Sequence, residues 1–369
     1  MNNTIQPVSV LKQKHIDVIR DSAARAEKDG KLTKAQINII NEQNWFKILA
    51  PSSLGGLQLP LPDALLILEA LACADGSTGW TVTRCAIAGW SAGFLNADIA
   101  KEIFSGDKAC IAGSGEATGT AEKTKSGYTV NGKWSLVSGT HEATAFIANC
   151  VITQNGTPVK DEDNKTQVLA FLFLNNEATV LPTWNAMGLA GTSCNDIEVK
   201  NLKVPSARAF KISGDNAKSG ARLYQYPLQQ LSEAAMSVNI SGMAFHFIDV
   251  CRELLTQMKN SNGVALINDN LVDDTFDKYI QKLNDARVKL FYAVELTWQS
   301  CVNQQQIKDT ILYKVSAASQ DLTKRARECV DALYPFCGIS STDKGSEINR
   351  IWRDLHTASH ESLLVYGGI

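Results

Sequence analysis

The chain has 369 residues, 44% of them hydrophobic and 20% charged, enough for two or three packed units with sizeable cores. A formal net charge of -2 gives no electrostatic footprint for nucleic acid or an anionic membrane. Nine cysteines scattered without CxxC or other ligand spacing exclude a disulfide framework or zinc site and fit a reducing compartment.

The N-terminus, MNNTIQPVSVLKQKHIDVIRD, lacks a basic segment followed by an apolar core, so no signal peptide is expected. The apolar stretch from Leu61 to Leu95 is interrupted by Glu69, Asp75 and Arg84, leaving runs too short to span a bilayer. A cytoplasmic protein follows. Residues 1–105 read as an N-terminal helical domain. Val8, Leu11, His15, Val18 and Ile19 recur at helical spacing, and Thr33 with Gln36 forms a capping box. Asp63 is expected to cap the apolar run ALLILEALA, and a second apolar helix follows the Gly76-Ser77 break. Two helices this apolar suit the centre of a bundle or a subunit interface.

Residues 106–212 change to β character, with strands predicted at 109–113, 119–125, 128–138, 144–152, 167–174, 179–181 and 195–204. Such short strands point to an antiparallel barrel or sandwich. Residues 213–369 return to long amphipathic helices at roughly 224–260, 270–306, 307–334 and 346–365, a C-terminal bundle. The fold class is therefore α+β.

Three segments draw attention as chemistry. Tyr128–Ile152 opens with a hairpin signal, β-rich residues on both sides of Asn131-Gly132, which favours a tight two-residue turn. Period-two alternation then puts Trp134, Leu136 and Ser138 on one face, with Gly139 allowing close backbone approach. In 184–205, Gly188 and Gly191 free the backbone where Thr192, Ser193 and Asn195 offer short polar groups, suited to the edge of a planar heterocycle or a phosphate. A plain glycine-containing β-bend would look the same. In the last helix Arg353, His356 and His360 share a face, a setting for proton transfer. The i, i+4 histidines lack HExxH and further ligands, so no metal is expected. AGSGEATGTAE at 112–122 misses GxGxxG, because Thr118 stands at the third glycine position and no helix follows.

Four segments in order resemble the acyl-CoA dehydrogenase superfamily: DGSTGW at 75–80, YTVNGKWSLVSG at 128–139, MGLAGTSCNDIEVKNLKVP at 187–205 and INRIWRDLHTASHESL at 348–363. Their wording is closest to its two-component flavin monooxygenases, the 4-hydroxyphenylacetate and dibenzothiophene hydroxylases. The resemblance implies a flavin, FAD or FMN, between the middle β-domain and a C-terminal four-helix bundle. It implies a separate flavin reductase, a small aromatic or heteroatom-bearing substrate, and a homodimer or homotetramer. It also assigns roles. Ser138 and His360 would be catalytic, the hydroxyl approaching the reactive ring edge. Leu136, Ser138, Gly139, Gly191, Thr192, Ser193, Cys194 and Arg353 would contact the cofactor. Two alternatives share the scaffold: an acyl-CoA dehydrogenase or oxidase with Glu361 as base, and a flavin-binding protein without catalysis. The chain departs from the pattern at Ala88-Gly89-Trp90-Ser91, where relatives often have a histidine. It stops at Gly367-Gly368-Ile369, where relatives continue, so a lid or interface segment is expected to be missing.

Overall fold

A computed structural model of the chain describes residues 7–161 and 163–366; the terminal Gly367, Gly368 and Ile369 lie outside the described residues. Five helices come first: α1 (Gln13–Asp29), α2 (Lys34–Glu42), α3 (Leu61–Ala74), α4 (Gly76–Trp90) and α5 (Ala97–Phe104). Thr33 and Gln36 form the capping box at α2. Asp63 lies in the first turn of α3, whose N-cap is Pro60, so it complements the helix dipole and does not cap. Asp75 is the true cap of this region, its side chain accepting from Thr78 at the start of α4.

Eight strands follow: β1 (Ile111–Thr124), β2 (Gly127–Val137), β3 (Ala145–Gln154), β4 (Thr157–Pro158), β5 (Val168–Leu174), β6 (Thr179–Leu181), β7 (Asn195–Pro205) and β8 (Ala209–Phe210). They form one sheet in the order β6-β7-β2-β1-β3-β5-β8, with β4 paired to β3. The expectation of an antiparallel barrel or sandwich is corrected here. The strand path does not close on itself among the described residues, and β1 and β3 pair in parallel. The chain leaves β2, crosses through Ser138–Thr144, and enters β3 on the far edge of β1, which fixes that direction.

The hairpin turn also moves. β1 and β2 join at Lys125-Ser126, with Thr124 paired to Gly127, while Asn131 sits inside the ladder opposite Thr120. Gly132 is needed for space: a Cβ there would lie 2.6 Å from the Trp134 ring. The same dipeptide makes a real turn at Asn155-Gly156, both residues at positive φ, between β3 and β4. The glycines of 112–122 belong to β1, and Gly119 serves the same ring, since a Cβ there would lie 2.2 Å from Trp134.

Five helices close the chain: α6 (Leu228–Gln257), α7 (Asn270–Val302), α8 (Asp309–Leu333), α9 (Glu347–Ala358) and α10 (Ser362–Tyr366). The expected amphipathic helix over 224–260 is instead buried at every residue from Gln230 to Ile248. It is long and apolar enough to cross a membrane by length and composition, but is packed inside the protein. α3 and α4 cover it closely: a Cβ on Gly242 would lie 2.2 Å from the Glu69 carbonyl oxygen. The apolar helices of 61–95 are thus covered within the chain.

Candidate functional site

Strand β2 loses its alternation at its end. Leu136 adopts φ 57, and the pairing with β7 shifts register between Trp134 and Val137. This bulge turns Trp134 into the sheet core and leaves Leu136 57% exposed, so the two do not share the face that period two predicts. Ser138 follows, 2% exposed, and its Oγ has no hydrogen-bond partner among the described residues. Such an orphan costs about 1–3 kcal/mol when nothing completes it. The position reads as one built to receive a ligand.

The next residues join β2 to the 187–195 loop. Gly139, at φ 78, donates its N–H to the Thr192 carbonyl oxygen at 2.9 Å. The Thr140 hydroxyl donates to the Ser193 carbonyl oxygen at 2.7 Å, and the Thr192 hydroxyl to that of Leu189 at 2.7 Å. Leu189 and Ser193 both adopt positive φ, giving the loop its tight path. Gly191 lies against α1 and α4: a Cβ there would be 3.1 Å from that of Ser77. Ser138, Gly139, Gly191, Thr192, Ser193 and Cys194 therefore form one continuous wall. Burial pushes the Cys194 thiol up, and the positive charge of Arg84 pulls the other way.

Helix α9 clamps the loop from behind. The Leu189 N–H donates to Asp354 Oδ1 at 2.5 Å, and Arg353 donates to the Met187 carbonyl oxygen at 2.8 Å. Arg353 also reaches Glu27, the Lys344 carbonyl oxygen at 3.1 Å and Asn349 Oδ1 at 2.8 Å. Its guanidinium is thus committed to protein groups, although the resemblance implied a cofactor contact. Gly188 lets α9 approach: a Cβ there would lie 2.1 Å from the Arg353 carbonyl oxygen. Asp354 abuts the start of α4, where a Cβ on Gly76 would lie 2.9 Å from its Oδ2. Burial, then the neighbouring Asp75, push the Asp354 carboxyl up to about 7.

The C-terminal histidines part company. α9 ends at Ala358, so the expected helix over 346–365 is broken and His360 lies in the turn before α10, exposed. His356 is buried, 2.9 Å from Asp331 Oδ1, with its ring 4.1 Å from that of Trp352. No contact joins His360 to Ser138 among the described residues. No group of three or more His, Cys, Asp or Glu there is arranged to hold a metal. Beside His360, Glu361 faces Arg84 of α4 at 3.6 Å, and Arg84 Nη1 lies 3.3 Å from Met236 Sδ. Arg84 was legible in sequence only as a charge interrupting an apolar run. A surface cleft of about 860 Å³ lies elsewhere, lined by Lys218, Arg222 and Gln304, and contains none of the orphaned polar atoms.

Residues 234–364 match the family described as acyl-CoA dehydrogenase, C-terminal domain. The chain is 24% identical over 357 residues to the oxygenase subunit HsaA, a flavin-dependent monooxygenase of Rhodococcus jostii, covering 92% of this chain and 90% of that protein. It is 23% identical over 353 residues to the indole-3-acetate monooxygenase of Acinetobacter baumannii, covering 94% and 88%. The structure of XiaF from Streptomyces sp. in complex with FADH2 and glycerol superposes with a TM-score of 0.88 at 19% identity, over 97% of this chain and 91% of that one. The chain therefore carries an acyl-CoA dehydrogenase-like fold of mixed helix and sheet, and its curated relatives along nearly its whole length are flavin-dependent monooxygenases.

Proposed function

We propose that this protein is the oxygenase component of a two-component flavin-dependent monooxygenase acting on a small aromatic or heteroatom-containing substrate. The observation that carries the reading is the buried, unpartnered Ser138 hydroxyl at the end of β2. The surrounding groups fit a flavin. Ser138 offers a donor and acceptor for a ring-edge nitrogen, Leu136 an exposed apolar surface, and the Gly139 and 191–194 segments a closely approachable backbone. Reduced flavin, FAD or FMN, supplies the two electrons with which one atom of dioxygen enters the substrate and the other leaves as water.

The protein's own part is to bind, orient and keep water out. Ser138, Gly139, Gly191, Thr192, Ser193 and Cys194 would hold the ring, and Leu136 would cover it. Arg353 acts indirectly, by fixing the Met187–Leu189 loop. His360, in the turn that also presents Glu361, would take the proton of a substrate hydroxyl on a ring nitrogen. Glu361, the base of the acyl-CoA dehydrogenase alternative, has its carboxylate facing Arg84, which disfavours that reading.

The reading brings a separate reductase, a cytoplasmic setting and a homo-oligomer. Val288, Tyr292 and Leu296 form an exposed apolar stripe on α7, with Tyr313 exposed on α8, and a second copy of the chain would cover such a surface. The test supplies reduced FAD or FMN anaerobically, measures retention by equilibrium dialysis, then admits 18O-labelled dioxygen with a panel of phenols and indoles. One labelled atom should enter a product; no retention of flavin and no label in any product overturns the proposal. Ser138→Ala should weaken retention with thermal stability unchanged or raised, because an orphan hydroxyl is removed. His360→Asn should lower product yield with flavin still bound, and an unchanged yield removes His360 from the mechanism.

A further inference from the structure

Arg84 is the only charged residue of α4 from Gly76 to Trp90, a helix otherwise built of neutral and mostly buried side chains. The helix is fixed beside it: the Asn239 amide of α6 donates to Thr83 Oγ1 at 3.0 Å. The guanidinium carries five N–H donors. Among the described residues it meets the Glu361 carboxylate at 3.6 Å, too long for a hydrogen bond, and the thioether of Met236, a weak acceptor. Its side chain is only 23% exposed. Two other partly buried arginines of this chain are better matched. Arg208 grips Glu177 with two hydrogen bonds of 2.5 and 3.0 Å, and Arg287 grips Glu69 with three of 2.7–2.9 Å. Arg84, like Arg350 at 3.8 Å from Glu347, is a fork without a matching carboxylate, and of the two it is the one on α4.

Its place gives the vacancy meaning. Next to Arg84 in sequence, Cys85 Sγ lies 4.0 Å from the Ser138 carbonyl oxygen, and a Cβ on Gly139 would lie 2.6 Å from that sulfur, so Arg84 stands where α4 packs on the end of β2, and its charge is felt at the Cys194 thiol of the 187–195 loop. Resting on the monooxygenase reading above, we infer that Arg84 is a specificity-determining residue that binds a carboxylate carried by the substrate. The substrate class is thereby narrowed to aromatic acids. A planar guanidinium binds a carboxylate through two parallel N–H···O bonds, a geometry Glu361 does not achieve. Glu361 stands in for that group in the absence of substrate and is displaced from Arg84 when the acid binds.

The test compares indole-3-acetate with indole-3-acetamide, the same ring with and without the charge, by calorimetric titration of the flavin-saturated protein. The acid should bind about tenfold more tightly than the amide. Arg84→Gln should abolish the difference while leaving the affinity for the amide unchanged, and Arg84→Lys should keep only part of it. Glu361→Gln, which removes the competing carboxylate and leaves Arg84 in place, should raise the affinity for the acid. Equal affinities in the unmodified protein, binding of neither compound, or a preference that survives Arg84→Gln overturns the inference. The underlying reading fails by a different measurement, loss of reduced flavin on dialysis. A protein that keeps its flavin yet treats acid and amide alike refutes the arginine's role alone.

Discussion

Replacing Asp354 with Asn probes the clamp behind the candidate site. Asp354 is buried between α9 and the start of α4, where desolvation first and Asp75 second raise its carboxyl from 3.8 to about 7. The folded chain therefore keeps a proton that the unfolded chain releases near 3.8. Between those two values the unfolded state binds fewer protons, so this group's contribution is fully present below 3.8 and is lost as the pH rises through about 7. About three pH units at 1.36 kcal/mol each put the loss at about 4 kcal/mol. Asn keeps an oxygen that can accept from the Leu189 N–H and cannot ionise, so its profile lacks the decline. Urea unfolding midpoints of both proteins from pH 4 to 8 give the difference, in which titrating groups remote from Asp354 cancel. That difference should move by about 4 kcal/mol in the variant's favour across the range. A difference independent of pH refutes the reasoning, since Asp354 would then titrate alike in the folded and unfolded chains.

Three further outcomes follow from close contacts and one buried pair. Gly119→Ala places a methyl against Trp134 and the Cys150 sulfur and should lower stability by about 1–3 kcal/mol, read by chemical denaturation; no loss would show that the ring can shift at no cost. Gly188→Ala meets the backbone oxygen of Arg353, so it should cost a similar amount and also weaken retention of reduced flavin, because the 187–189 loop must move away from α9. Arg287→Met leaves the fully buried Glu69 with only Ser241 for a partner and should destabilise by about 3–5 kcal/mol. Adding Glu69→Gln should recover part of that loss, and no recovery would place the effect in packing.

Element types were legible because periodicity is a local property. The Thr33–Gln36 capping box can be read from a few consecutive residues, and the break expected at Gly76-Ser77 falls one residue earlier, at Asp75. What could not be read depends on neighbours remote in sequence. Asn131-Gly132 carries the strongest local turn signal in its segment, yet Gly132 is there because the Trp134 ring lies over it. Gly119, in the segment that misses GxGxxG, is there for the same ring. Alternation put Leu136 beside Trp134, and one residue at positive φ separated them. The polar residues of α6 predict an amphipathic helix, but Glu233, Asn239 and Ser241 are buried and bond Ser316, Thr83 and Glu69 of other helices. A helix face that looks wet in sequence can be a buried polar network.

The segments that made the chain resemble a family supply both the wall of the candidate site and the clamp behind it, while Arg84 and Met236 lie outside them. In DGSTGW, Asp75 caps α4 and Gly76 admits Asp354; in RDL, Arg353 and Asp354 hold the 187–189 loop. These residues fix where the wall stands, and their close backbone contacts leave little freedom to change them. Arg84 touches Glu361 through one long ion pair and Met236 through one thioether contact. Arg84 and Glu361 are partly exposed, so changing them disturbs less of the packing than changing Met236, which is fully buried. Substrate preference on this scaffold can therefore move with such loosely held side chains while the clamp stays constant. On that reasoning, exchanging Arg84 rather than a clamp residue is expected to shift substrate preference with the fold retained.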